Sequence, residues 1–189
     1  MTNPDLTIRP ARPADVPAIR DLVEPYASER ILLAKEMVGY YEAVQEFLVA
    51  DAVAGDAARD SRTVADSGGQ PGGALVIGCG ALHVMWQDLA EIRTLAVAPG
   101  WRGHGVGHAL LDGLVERARV LGLRRLFCLT FEVDFFRAHG FAPIEGTPVS
   151  ADVYAELLRS HDDGVAEFLD LARVKPNTLG NTRMLVELD

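Results

Sequence analysis

The sequence predicts an α+β domain, and three observations carry that prediction. Leu75–Val84 and Ala90–Val97 are two stretches of small and branched apolar residues joined through Trp86-Gln87-Asp88, the pattern of an antiparallel hairpin. A long helix follows, from about Gly105 to Leu121, with Leu110, Leu111, Leu114, Val115 and Ala118 spaced to face inward. A short apolar strand, Leu126 to Thr130, then returns to the sheet. With 189 residues, 49% of them hydrophobic and 24% charged, the chain suits one globular domain, 1–189, with a substantial core.

The remaining elements follow in order. Ile8 to Pro10 reads as a strand, and Pro13-Ala14-Asp15 opens a helix whose apolar face is Val16, Ile19, Leu22 and Val23. A second helical pattern runs through Tyr40, Tyr41, Val44 and Phe47. Asp51 to Gly73, rich in Gly, Ala, Asp and Ser with only Val53 and Val64 as apolar hints, reads as a flexible loop insertion. Gly78 and Gly80 predict a bend or bulge in the strand that follows. Pro99-Gly100 stops the hairpin, and Gly122 ends the long helix. Asp134 to His139 is a short helix closed by Gly140. Ala151–Ser160 and Gly164–Ala172 are helical, Lys175-Pro176-Asn177 breaks the pattern, and Arg183–Leu188 is a last strand.

Composition narrows the function. The net charge of −9 and the lack of a concentrated basic patch speak against a nucleic-acid partner. No apolar run approaches the roughly 18 residues of a membrane span, and the polar Met1–Pro10 is unlike a signal peptide. Two cysteines, Cys79 and Cys128, make no disulfide framework, so a reducing cytoplasm is the expected location. The five histidines show no metal-ligand spacing, so no metal is expected.

The informative motif is Arg102-Gly103-His104-Gly105-Val106-Gly107, set between a strand and a helix. Its glycines permit positive φ and close approach, and the helix behind it points free N–H groups and a positive dipole end at the loop. That is a phosphate cradle. The dinucleotide pattern Gly-x-Gly-x-x-Gly fails at His108, and a P-loop fails because Val106 stands where lysine is required. Arg-x-x-Gly-x-Gly resembles the pyrophosphate-binding signature of the GNAT family of N-acetyltransferases. Leu95-Ala96-Val97-Ala98-Pro99 ahead of it, and Phe135-Phe136-Arg137-Ala138-His139-Gly140-Phe141 beyond, resemble that family's flanking motifs.

This resemblance implies a mixed, mostly antiparallel central sheet whose splayed strand pair binds acyl-CoA. It implies acetyl-CoA as the acetyl donor, held by Leu95, Ala96 and Val97 on the strand and by Arg102 to Gly107 on the loop. A backbone N–H near Leu95 would serve as oxyanion donor. Glu91, two pleats before Leu95, is the expected general base, and by parity Glu91, Arg93 and Leu95 share one face. The family's tyrosine acid position is Phe136 here, which cannot donate a proton. Thr130 is the best hydroxyl at that strand end, with Tyr26, Tyr40 and Tyr41 as alternatives. His104 and His108 are expected to add positive charge near the phosphates.

The stretches Ile31–Lys35, Tyr41-Glu42, Gly78–His83, Ala90–Val97 and Leu129-Thr130 extend the resemblance to short amino-acid N-acetyltransferases of the N-acetylglutamate synthase type, from bacterial arginine biosynthesis. The implied partner is a small-molecule amino acid, L-glutamate or L-glutamine. Its carboxylates need cations, for which Lys35, Arg93 and Arg183 are the candidates, with Asn181 and Thr182 as neutral donors. A homodimer is compatible with the sequence. Another amine acceptor (a protein N-terminus, an antibiotic, a polyamine) and a non-catalytic acyl-CoA sensor stay open.

Overall fold

The computed structural model describes residues 6–29, 31–32, 35–52, 75–174 and 180–189. The strands are β1 (Leu6–Pro10), β2 (Phe47–Ala52), β3 (Leu75–Trp86), β4 (Leu89–Val97), β5 (Arg125–Thr130), β6 (Ala142–Pro143) and β7 (Thr182–Glu187). The helices are α1 (Val16–Ser28), α2 (Met37–Glu42), α3 (Val106–Val120), α4 (Val133–Arg137), α5 (Ala151–Leu157) and α6 (Asp163–Phe168). Among the described residues the strands form one seven-stranded sheet, ordered β1-β2-β3-β4-β5-β7-β6. Every pairing is antiparallel except β4 with β5. The expected α+β fold with a mixed, mostly antiparallel sheet is what forms.

The parallel pair exists because the chain leaves β4, crosses one face as α3, and re-enters beside β4 as β5. The pairing lasts only from Leu89/Arg125 to Glu91/Phe127. Beyond Glu91 the two strands separate, while β4 stays paired to β3 as far as Val97 and β5 stays paired to β7 as far as Thr130. The expected splay is therefore present.

α3 covers one face of the sheet. Leu110, Leu111, Leu114 and Ala118 bury there against Leu48, Ile77, Ala90, Ile92 and Leu126. Gly78 lets α3 approach closely, since a methyl group there would sit 2.9 Å from Leu110 Cδ1. The opposite face carries two separate covers. α1 and Tyr40 of α2 pack on Val49, Cys79, Ala81 and Ala96, while α5 and α6 pack on Met85, Leu89 and Phe127.

Three expectations need correction. The helical pattern through Phe47 ends earlier: α2 stops at Glu42, a 3-10 turn spans Val44–Glu46, and Phe47–Ala52 is a strand. Every residue of that strand is buried, so it reads as a continuous apolar run that periodicity cannot separate from a helix. Asp51 and Ala52 thus belong to β2 rather than to the loop. Residues 53–73 of that loop, with Val53 and Val64, lie outside the described residues, as do Met1–Asp5, Leu33-Ala34 and Lys175-Pro176-Asn177.

The second is sharpened rather than overturned: the bulge expected in β3 is present, but the irregularity at Gly78 and Gly80 is shared between two strands. Ile77 is the extra residue of β3 against β2. Opposite Gly80 the extra residue lies on β4, between Arg93 and Ala96, where Thr94 takes a φ of 57°. Gly80 has no side chain to obstruct this bulge; a methyl there would come within 2.9 Å of Leu95 Cδ1.

The third follows from the second. One inserted residue reverses strand parity. Glu91 and Arg93 face the α1 and α6 side, but Leu95 turns to the α3 side and packs with Leu110 and Leu114. Glu91, Arg93 and Leu95 do not share one face.

Candidate functional site

Along β4 the residues facing away from α3 pass from the α6 cover at Leu89, through Glu91 and Arg93, to the α1 cover at Ala96. The two covers leave a charged seam between them, and it lies where β4 and β5 separate. Glu91 sits on the last paired rung. It is buried, and among the described residues its Oε2 has no hydrogen-bond partner. Burial pushes its carboxyl well above the usual range, reinforced by Glu167 and Asp162. α6 presses on it so closely that a methyl at Gly164 would overlap Oε2 and lie 2.9 Å from Cδ.

Arg93 stands at the centre of the seam. Its Nη1 donates to Asp162 Oδ2 at 3.0 Å, and its Nε lies 3.8 Å from both Glu91 Oε2 and Glu46 Oε2. Asp162 is also the N-cap of α6, accepting from the Val165 N–H at 3.0 Å. Burial raises the Asp162 carboxyl, but the Arg93 charge and these hydrogen bonds outweigh it, and the net shift is downward. His83 Nδ1 lies 2.7 Å from Glu46 Oε1. Lys35 faces the same cluster: burial and Arg93 push its ammonium down, opposed by Glu46, Glu91 and Asp162.

The other expected residues sit elsewhere. Thr130, at the end of β5, accepts the Glu132 N–H at 2.8 Å and so retains its own proton as a donor. Thr182 pairs with Thr130 across β5 and β7, and Asn181 precedes it. Arg183 lies over the Phe127 ring at 6.0 Å and donates to the Phe168 carbonyl, with a buried, unpartnered Nε. Phe136 is buried against Phe135 and Phe141, so the family's tyrosine position is core here. Tyr40 is core and Tyr41 is exposed. Cys79 and Cys128 are buried, and burial pushes the Cys79 thiol up to about 12.

The glycine loop has the expected form. Gly103 and Gly105 take φ values of 76° and 79°, and among the described residues a methyl added to either would meet nothing within 4 Å beyond its chain neighbours. Left-handed backbone, not crowding, requires glycine there, and the face above the loop is open. Gly105 is the N-cap of α3, so the N–H groups of Val106 and Gly107 begin the helix unpaired. Tyr26 ties α1 to this end of β4: its hydroxyl donates to the Val97 carbonyl at 2.7 Å, and Arg102 Nε donates to it at 3.2 Å. His104 bonds within the loop, and His108 contacts His139 at 2.7 Å.

Sequence reasoning missed Glu46, His83, Asp162, Gly164 and Glu167 as members of this seam. The Asp162-Asp163-Gly164 run, a capping signal ahead of a helix, was the one local sign of them. Among the described residues no group of His, Cys, Asp and Glu could hold a metal, and no helix is long and apolar enough to cross a membrane.

The profile of the acetyltransferase (GNAT) family matches residues 22–142. The sequence is 55% identical over 181 residues to a Mycobacterium tuberculosis protein called amino-acid acetyltransferase, covering 96% of this chain and 94% of that one. The structure resembles that of Rv2747 from Mycobacterium tuberculosis, crystallised with CoA and NLQ, at a TM-score of 0.82 and 55% identity over 97% and 99% of the two chains. The fold is also that of part of the Neisseria gonorrhoeae N-acetylglutamate synthase complexed with coenzyme A and N-acetyl-glutamate: TM-score 0.70, 22% identity, 100% of this chain and 36% of that one. Given the splayed sheet, the glycine loop ahead of α3 and these matches, the chain belongs to the acetyltransferase (GNAT) family and is an N-acetyltransferase.

Proposed function

We propose that this enzyme moves the acetyl group of acetyl-CoA to the α-amino group of L-glutamate or L-glutamine, the first step of arginine biosynthesis. The observation that carries this reading is the 55% identity to an amino-acid acetyltransferase over nearly all of both chains. The charged seam supports it: an amine can meet Glu91 while a carboxylate meets Arg93 or Lys35.

The residues fit the donor. In this reading Gly103, Gly105 and the first N–H groups of α3, with Arg102 and His104 at the rim, hold the pyrophosphate. Leu95, Ala96 and Val97 offer their backbone to the pantetheine arm in the gap between β4 and β5, and the Leu95 N–H stabilises the oxyanion. The thioester supplies the activated acetyl group. Glu91 takes a proton from the acceptor ammonium, and the freed amine attacks the carbonyl carbon. The C–S bond breaks as the thiolate leaves with its electron pair, and a second nitrogen-bound proton ends on the thiol. Thr130 orients that sulfur, and Asn181, Thr182 and Arg183 wall the acceptor side. A homodimer in the cytoplasm completes the reading; light scattering and cell fractionation check these two points.

A thiol-release assay with acetyl-CoA and single amino acids tests the acceptor. Turnover on glutamate or glutamine above other amines is expected; preference for a polyamine or a peptide N-terminus would replace this reading. Arg93→Ala should raise KM for the amino acid more than KM for acetyl-CoA.

A further inference from the structure

Glu91 takes up a proton in a place from which it cannot readily lose it. Its Oε2 is sealed from solvent and unpartnered, and Gly164 of α6 lies against it. The group beside it on the same helix is Glu167, one turn beyond Gly164 and on the same face. Glu167 is 5% exposed, and among the described residues no hydrogen bond or ion pair engages it. A long charged side chain is seldom buried without a partner, because desolvation costs more than packing returns. Two buried carboxyls on facing elements, with Arg93 Nε no nearer to Glu91 Oε2 than 3.8 Å, are not a stability device.

We propose that Glu167 is the outlet for the proton that Glu91 collects, so that Glu91 and Glu167 act as a carboxyl pair sharing one proton between the acceptor amine and solvent. This deepens the role proposed for Glu91 and rests on it. Acetylation of an ammonium releases one proton overall: of the two that leave nitrogen, one ends on the thiol and the other goes to Glu91, then Glu167, then water. Glu91 is then ionised for the next turnover.

The surroundings tune the pair. On α6, Asp162 and Asp163 face Glu167; β4 contributes Glu91 and Arg93; Glu46, Lys35 and His83 lie on the far side of Arg93; and Arg173 and Arg183 are held by Asp163 and by the Phe168 carbonyl. Burial, then Asp163 and Asp162, push the Glu167 carboxyl up to about 7, against the pull of Arg93. A carboxyl at that value both accepts and releases a proton at neutral pH.

The test is the pH dependence of kcat and of kcat/KM for the acceptor in Glu167→Gln, Glu167→Asp and Glu91→Gln. Glu167→Gln should lower kcat about tenfold, less than the roughly 10²- to 10⁴-fold loss typical for removal of a general base. Loss of the neighbouring charge should also move the acid limb to lower pH. Glu167→Asp should recover part of the rate. An unchanged rate and limb in Glu167→Gln, alongside loss of the limb in Glu91→Gln, overturns the outlet and leaves Glu91 as base; a limb that survives in Glu91→Gln overturns both. A second readout needs no substrate. ¹³C NMR of labelled carboxyls in the resting protein should show the Glu91 titration falling to lower pH in Glu167→Gln, and an unmoved titration overturns the pair whatever amine the enzyme accepts.

Discussion

At the level of single residues the proposed mechanism depends on the charge state of a buried carboxyl. Glu91 is neutral at low pH, and burial holds it neutral further up the scale than an exposed glutamate. Turnover should therefore rise with pH on the acid side, and Glu91→Gln should lose about 10²- to 10⁴-fold in kcat, steepest where the acceptor is most protonated. A thiol-release assay across pH reads both. The same shift affects stability. The folded protein keeps the Glu91 proton to higher pH than the unfolded chain, so stability present in acid is lost as pH rises through the folded titration. Glu91→Gln removes that loss. Its melting temperature should exceed that of the parent at pH 8 and match it near pH 4, by calorimetry at both values.

At the scale of elements, α6 and the β1–β2 edge carry separate duties. α6 closes the seam because Gly164 admits it to contact with Glu91 and its N-cap Asp162 holds Arg93. Gly164→Ala must push the helix outward, an overpacking cost of about 1–3 kcal/mol. The expected result is a raised KM for the amino acid with little change for acetyl-CoA, and equal effects on both would place α6 away from the acceptor. The β1–β2 edge is held by Arg9, whose Nε donates to Asp51 at 2.6 Å and whose Nη1 donates to Asp15 at 2.7 Å. The Arg9 hydrogen bond lowers the Asp15 carboxyl against its desolvation, so this contribution is lost as pH falls through the Asp15 titration. Arg9→Ala strands Asp51, which is 7% exposed, and should cost about 1–3 kcal/mol by urea unfolding.

At the scale of the whole molecule the sheet is nearly two halves, β1 to β4 and β5 to β7, joined by three rungs between Leu89 and Glu91. A ligand lying in the gap would connect them and bind only the folded state. At one hundred times its Kd, acetyl-CoA should add about 2.7 kcal/mol, which for a chain of this size is roughly 5–10 °C in Tm. Absence of a thermal shift at saturating acetyl-CoA would remove the donor assignment. An overall charge of −9 opposes an anionic ligand at long range, so the affinity must come from the local N–H groups of the loop and α3.

The hairpin, the glycine loop, α3 and the family are legible in the residue order, because each is written in local spacing: positive-φ glycines, helical periodicity and the residues between them. It also placed Glu91 and Arg93 on one face, since strand parity holds until something interrupts it. Where parity fails is set by contacts between strands. The β4 bulge depends on Gly80 of the neighbouring strand, and nothing in Thr94-Leu95 announces it. Phe47–Ala52 became a strand because both of its faces are covered, which is a property of its neighbours. Asp162, Gly164 and Glu167 joined the site because α5 and α6 fold back over β4 and β5, some seventy residues along the chain from Glu91. The environment of Glu91 comes from that distant helix, and with it the charge state that its proposed role as base requires.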